Sequence, residues 1–441
     1  MSNLADSERS QFLKEGLMDR RSALAVMASG LALPAFAAER RVSPSPTGFA
    51  IDRNRIDAAL KQMVSANRVS GASALVWQRG AERYFGAFGL ADREAKRPMA
   101  RDTLVQIFSM TKPVTGVALM QLWEQGKFGL DDPLANYLPA FGKVKVLAGG
   151  TSADGKPILR DPARPIVIRD IMRHTAGFSY GMRDTPADKI FHDIDPLALT
   201  NSLSEFGDKL ASVPLLFDPG AEWSYSTGVD VQALLVEHLT GEAFEPHVRR
   251  AILDPLGMKD TAWTQPQERL ARFAATYTPA AGGTLNRVPD DKTRALNFGP
   301  RKLTMGGAGL ASTLDDYMRF ARMLLGRGTL EGIHILSPDT IRVMSTDQLD
   351  PRITQRFFLP GKGSVGFGLD FAVRIAPPKD AKENRGTVGE FFWDGAETTL
   401  FWVDPINDLA AVFFVQVIPF DGTLHHDIRQ AVYGPGYTGP A

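Results

Sequence analysis

The 441-residue chain contains no cysteine. This excludes disulfides, thiol nucleophiles, iron–sulfur clusters and cysteine-based zinc sites together, and taken alone it favours a reducing compartment. Net charge is missing as well, because 50 basic residues balance 50 acidic ones. Electrostatic attraction to nucleic acid or to an anionic membrane thereby loses its simplest basis. No apolar run reaches the roughly 20 residues that a spanning helix needs, so no membrane anchor is expected. Internal repeats and low-complexity tracts are absent. The seven histidines show no metal-ligand spacing: His425 and His426 are adjacent, and no His-x-x-x-His pair occurs. Gly306-Gly307-Ala308-Gly309 lacks both the Lys-Ser/Thr of a P-loop and the spacing of a dinucleotide fingerprint. No metal and no cofactor is therefore expected, and chemistry must come from hydroxyls, amines, carboxylates or imidazoles.

What is present is a globular composition, 44% hydrophobic and 23% charged, on a chain long enough to bury a sizeable core without staples. Arg20-Arg21-Ser22-Ala23-Leu24 opens an apolar run that ends in Pro34-Ala35-Phe36-Ala37-Ala38. A paired-arginine region, a short apolar stretch and a small-residue Ala-x-Ala site describe an export signal over residues 1–38, resembling the Tat type. Asp6, Glu8 and Glu15 make a poor start for such a signal, which points to Met18 as the initiator. An exported, periplasmic protein is expected, one that relies on core packing in place of disulfides; the alternative is an amphipathic N-terminal helix packed on the body of a cytoplasmic protein.

Ile51, Ile56, Ala59, Leu60, Met63 and Val64 recur at helical spacing. Ala72 to Gln78 and Arg83 to Phe88 read as a hairpin turning at Arg79-Gly80-Ala81. A helix is expected over Thr111 to Gln125. From Gly150 to about Pro300 the chain is rich in Pro, Gly and Asp, with helical pieces at Asp230 to Leu239 and Glu245 to Leu253. Strands are expected at Gly366 to Arg374, Val388 to Trp393, Thr398 to Val403 and Ala410 to Val417, and a final helix at His425 to Val432. Strands at both ends around a helical middle predict an α+β fold. Its sheet domain would be drawn from residues 39–140 and 300–441, with an inserted, mostly helical domain at 141–299. A ligand site is expected in the cleft between such parts.

Three elements carry candidate chemistry. Ser109-Met110-Thr111-Lys112 precedes an apolar helix, and Pro113 marks its first turn. A hydroxyl there sits near the positive end of the helix dipole, with Lys112 three residues on along the same face. Tyr225-Ser226-Thr227 stands before a second helix, where a phenol beside an ammonium is suited to relay the serine proton. Trp393-Asp394-Gly395-Ala396 lies in a strand pair, where the glycine permits close approach to the backbone. Amides from that strand and from Ser109 are placed to form an oxyanion hole.

In order and rough spacing, these three motifs resemble those of the serine β-lactamase/penicillin-binding protein superfamily. The match is to the class C β-lactamase-like branch, and most closely to the family VIII carboxylesterases. The runs Ile168 to Gly177, Met305 to Leu310, Gly366-Phe367-Gly368-Leu369 and Trp402-Val403-Asp404-Pro405 support it, and the resemblance covers about residues 51–435. It implies Ser109 as acyl-accepting nucleophile, Lys112 and Tyr225 sharing the general-base role, and an oxyanion hole from the amides of Ser109 and Ala396. It also implies a mixed antiparallel sheet flanked by helices, beside a helical domain.

Two departures select among members. Thr227 stands where β-lactamases and penicillin-binding peptidases carry asparagine, and it lacks a carboxamide. Trp393 and Asp394 stand where those enzymes hold a substrate carboxylate with a cationic or polar residue. A ring and a carboxylate repel an anion, which favours small uncharged ester substrates. The leading expectation is thus a serine carboxylesterase working through an acyl-enzyme. The alternatives are a β-lactamase or D-alanyl-peptide hydrolase, an acyltransferase using the same residues, and a non-catalytic binder of cell-wall peptides. The loop Asp350 to Gly363, with Phe357, Phe358 and Leu359, is a candidate lining for the acyl pocket from its apolar content. Gly177-Phe178-Ser179-Tyr180-Gly181 fits G-x-S-x-G but lacks the preceding strand and following helix of a nucleophile elbow, so Ser179 is expected to be a decoy. His174 is expected to brace a loop.

Overall fold

The computed structural model describes residues 50–437 together with residue 439. The expected export signal falls on residues 1–38, outside them. Helix α1 (Arg53–Ser65) is capped by Asp52, whose carboxylate accepts the amides of Asn54 and Arg55, and it buries the stripe Ile56, Leu60 and Met63. Strands β1 (Gly71–Gln78) and β2 (Ala81–Asp92) follow as a hairpin. Its two loop residues, Arg79 and Gly80, both have positive φ, the primed turn whose twist matches the strands. β3 (Arg97–Pro98) ends the sheet on that side, where a proline costs no ladder hydrogen bond.

Two buried helices come next. α2 (Thr111–Glu124) is buried on every side from Thr111 to Met120, as expected of a helix apolar all round. It packs against α3 (Gly228–Thr240), which stops at left-handed Gly241. After α4 (Leu314–Leu325) the chain returns to the sheet through β4 (Val365–Phe367), β5 (Ala372–Arg374), β6 (Phe391–Asp394), β7 (Leu400–Asp404) and β8 (Leu409–Phe414). It closes with α5 (Gly422–Tyr433).

Among the described residues, eight strands form one sheet ordered β4-β5-β6-β7-β8-β1-β2-β3, each neighbouring pair antiparallel. The join between the two ends of the chain is β1 on β8, with Ser73 opposite Phe414 and Leu75 opposite Val412. β7 and β8 are buried along their whole length, so both faces of the sheet are covered there. α4 lies on β1, β7 and β8, and α1 lies on β1, β2 and α5. The fold is α+β, an antiparallel sheet flanked by helices, as the strand-rich ends implied.

One strand was expected over Gly366 to Arg374. The structure instead reverses there, and β4 and β5 form a hairpin. Asp370 takes a left-handed φ of +62°, and a Cβ on Gly368 would meet the Met344 carbonyl oxygen. Both β4 and β5 are buried throughout, so hydrophobicity runs through the turn without marking it.

Candidate active site

The serine sits on a forced turn. Val105–Gln106 pairs with Ala311–Ser312, Phe108 then adopts φ +42°, and a 3-10 turn over Phe108–Met110 runs directly into α2. Ser109 therefore lies in the turn before the helix and is partly exposed. The segment Met305 to Leu310 holds this turn from outside. The Ile107 amide donates to the Leu310 carbonyl at 3.0 Å, the Leu310 amide to Thr111 Oγ1 at 3.2 Å, and Tyr317 Oη to the Met110 carbonyl at 2.7 Å.

Lys112 is almost fully buried, and its ammonium donates to Ser109 Oγ at 3.2 Å and to the Gly307 carbonyl at 2.7 Å. Burial opposes its charge, yet Tyr180, Tyr225 and Asp230 outweigh that and hold its pKa above the ordinary lysine value. Asp230 sits behind it, accepting the Gly307 amide at 2.9 Å on Oδ1, while Oδ2 finds no protein partner. Burial raises the Asp230 pKa, against the pull of Lys112.

Tyr225 closes the group. Its ring centre is 4.6 Å from Lys112 Nζ, and its hydroxyl accepts from Trp393 Nε1 at 3.4 Å. Rings surround it: Phe358 stacked at 5.6 Å, Trp393 at 5.4 Å, Tyr180 edge-on at 5.6 Å and His174 at 4.8 Å. His174 is fully buried, and its Nδ1 meets the Ser226 hydroxyl at 3.1 Å and the Ser226 amide at 3.3 Å. Burial, helped by Lys112, drives its pKa well below the ordinary value, so it is a neutral brace for the tyrosine segment. Thr227 is also fully buried; its hydroxyl donates to the Ser179 carbonyl at 3.1 Å and so ties two loops together.

β6 delivers the third motif. Trp393 is buried against Tyr225, and a Cβ on Gly395 would lie 2.5 Å from the Ile107 carbonyl oxygen. The glycine thus lets the end of β6 touch the segment entering Ser109, with exposed Ala396 one residue further on. Asp394 is not a bare carboxylate: Lys362, from the turn Leu359–Lys362, is ion-paired with it in a nearly buried position. Contrary to the expectation from its sequence position, Asp394 therefore does not present a free negative charge that repels an anion. Arg356–Phe357 pairs in parallel with Trp223–Ser224, which seats the Phe357–Phe358 loop at the mouth of the site. Phe358 lies on Tyr225, and Phe357 lies under the Arg183 guanidinium at 5.3 Å.

Ser179 is fully buried, donates to Asp188 Oδ1 at 2.5 Å and accepts the Gly181 amide at 2.9 Å. Both glycines of its motif have left-handed φ, and a Cβ on Gly177 would meet the Phe217 carbonyl. Among the described residues no cluster of His, Asp and Glu is arranged to hold a metal ion. Nor is any described helix long and apolar enough to cross a membrane.

The Beta-lactamase family profile matches residues 56–432, nearly the whole described chain and all three motifs. The chain belongs to the Beta-lactamase family. Esterase EstB of Burkholderia gladioli is 32% identical over 419 residues, covering 89% of this chain and 98% of that protein. The solved structure of EstCE1, a hydrolase with promiscuous acyltransferase activity, is 27% identical with a TM-score of 0.70, covering 86% of this chain and 98% of its own. Simvastatin synthase (LovD) of Aspergillus terreus is 25% identical with a TM-score of 0.74, at the same two coverages. Within the Beta-lactamase family, the chain is therefore an enzyme homologous to esterases and acyltransferases.

Three residues of this Beta-lactamase-family site escaped the sequence reading. Tyr180 presents its ring 5.4 Å from Lys112 Nζ, and its place inside the decoy motif was the available signal. Asp230, five residues after Tyr225, carried a helix-period signal as well as a charge. Lys362 lies in the same apolar loop as Phe357 and Phe358, whose pattern gave no sign of a buried cation.

Proposed function

We propose that this enzyme transfers an acyl group from a small ester to Ser109, and from there to an alcohol or to water. Ser109 Oγ attacks the ester carbonyl while Tyr225, in its phenolate form, takes the serine proton and becomes the phenol. Lys112 stays charged and stabilises the phenolate side of that exchange. The amides of Ser109 and Ala396 receive the developing oxyanion. The departing alcohol recovers the proton from Tyr225, and the second half reverses these steps with a new alcohol or water as nucleophile.

The observation that carries this reading is the Lys112 ammonium, 3.2 Å from Ser109 Oγ and 4.6 Å from the Tyr225 ring centre. Transfer to an alcohol stands ahead of hydrolysis alone because the similar proteins include both transferases and esterases. Partly exposed Phe357 and Phe358 also offer an apolar platform for an acceptor.

The test is release of 4-nitrophenol from 4-nitrophenyl butyrate, with and without a primary alcohol, followed by product analysis. Ser109→Ala is expected to lose at least about a thousandfold in kcat, and added alcohol to yield a new ester. Ser179→Ala is expected to keep its burst of nitrophenol while losing about 1–3 kcal/mol of stability, because Asp188 loses a buried donor. Activity that survives Ser109→Ala and vanishes in Ser179→Ala would overturn the assignment.

A further inference from the structure

The third motif holds a cation that its own sequence does not contain. Lys362 Nζ donates to Asp394 Oδ2, and both side chains are nearly buried. Three rings surround the ammonium, with Phe420 at 4.4 Å, Phe358 at 4.9 Å and Trp393 at 5.4 Å from ring centre to nitrogen. Two of these rings touch Tyr225, so Lys362 stands one ring away from the reacting group. Phe358 and Phe420 are 39% and 37% exposed, which puts the ammonium just beneath the surface, and Phe358 links it to the Tyr225 side. On its other side Lys362 lines a cavity of about 660 Å³ shared with Lys379, Lys382, Glu383 and His426.

The neighbouring charges settle what balances what. Glu383 is engaged by Arg374 and by the Ser364 and Lys379 amides. His425 Nδ1 lies 3.8 Å from Asp394, but burial holds its pKa down at about 4, so it is neutral at pH 7. Lys362 is therefore the partner that neutralises Asp394. An ammonium has three donors, and a cation in a partly dry, ring-lined pocket attracts a carboxylate strongly unless one is already there.

We propose that Asp394 is a specificity-determining residue: it masks the Lys362 cation with a built-in carboxylate and so closes the site to substrates that carry their own. This deepens the ester-acylation reading and rests on it. The pair is neutral as a unit, although a cation suited to anionic substrates is already in place. Removing either partner alone leaves a buried charge uncompensated, and the two removals push selectivity in opposite directions.

The test compares 4-nitrophenyl butyrate with mono-4-nitrophenyl glutarate, whose acyl chain ends in a carboxylate. The quantity read is the ratio of their kcat/KM values on one enzyme, in which general damage to the fold cancels. Asp394→Asn is expected to raise the glutarate/butyrate ratio about tenfold or more, the worth of a charge-assisted hydrogen bond. Lys362→Met is expected to lower the ratio, while Lys362→Arg and the double variant Lys362→Met/Asp394→Leu stay near wild type. Ratios for Asp394→Asn and Lys362→Met equal to wild type would overturn the inference. A second readout needs no turnover: calorimetric affinity of the Ser109→Ala protein for glutarate, with and without Asp394→Asn. Tighter glutarate binding with Asp394→Asn supports the masked cation even if neither ester acylates Ser109, in which case only the acylation reading falls. Unchanged glutarate affinity refutes the masked cation.

Discussion

Glu397 shows how much a single buried side chain sets in this molecule. It follows Ala396, is almost completely buried, and has Thr276 Oγ1 as its side-chain partner at 3.0 Å. Burial pushes its pKa up to about 8. In the unfolded chain the carboxyl ionises near the ordinary glutamate value, so between about pH 4.5 and pH 8 the folded protein keeps a proton that the unfolded one releases. Stability from this group is therefore undiminished at low pH and falls as pH rises toward 8. Glu397→Gln keeps the shape and removes the ionisation. Urea denaturation at pH 5 and pH 8 is expected to show that the variant gains over wild type at pH 8, on the order of a few kcal/mol, and little at pH 5. At this same scale the decoy motif becomes intelligible: Ser179 fixes a loop through Asp188, and the loop presents Tyr180 to Lys112.

Between elements, the decisive contact is the Met305–Leu310 segment wedged where α2 meets α3. Thr115 Oγ1 donates to the Gly306 carbonyl at 2.7 Å, Lys112 donates to that of Gly307, and a Cβ on Gly306 would lie 2.3 Å from the Val229 carbonyl oxygen. Backbone cannot yield there as a flexible side chain would. Gly306→Ala is expected to cost about 2–4 kcal/mol in chemical denaturation. Because the shift would move Gly307 off Lys112, kcat is expected to fall about tenfold or more on 4-nitrophenyl butyrate while KM changes little. Helices α2 and α3 on either side of this segment followed from periodicity and apolar runs, whereas α4 just after it and the short Val105–Gln106/Ala311–Ser312 pair were not expected. Nor was the Gly366–Arg374 reversal, because its two buried strands read as one apolar stretch.

Across the whole molecule, a buried charge network binds the C-terminal helix to the sheet. Glu390 accepts Arg374 Nε at 3.0 Å and Arg429 Nη1 at 2.8 Å on one oxygen, and Tyr433 Oη at 3.2 Å on the other. Tyr433 continues to Asp404 at the end of β7. Arg374 and Arg429 are both about 1% exposed, so neither charge can relax into water. Glu390→Ala is expected to cost about 3–5 kcal/mol in urea denaturation, because it takes the carboxylate from buried Arg429 and one of the two carboxylates from buried Arg374, with the loss shared by β5, β6 and α5.

The order of the three motifs, the glycines between them and the apolar runs determined the family, the α+β fold and the serine, lysine and tyrosine that meet. Those signals are local, and spacing along the chain preserves them. The folded packing, and not spacing along the chain, fixes what stands opposite each charge. It brought Tyr180 and Asp230 to Lys112 and turned the Thr227 hydroxyl toward a neighbouring loop. It also set Lys362, 32 residues before Asp394, against that carboxylate. Ion pairs and ring contacts of that range depend on how the sheet and helices close around the cleft, and composition sums such as the zero net charge average them away. The missing cysteines are the opposite case, since an absent side chain excludes its chemistry wherever the chain goes.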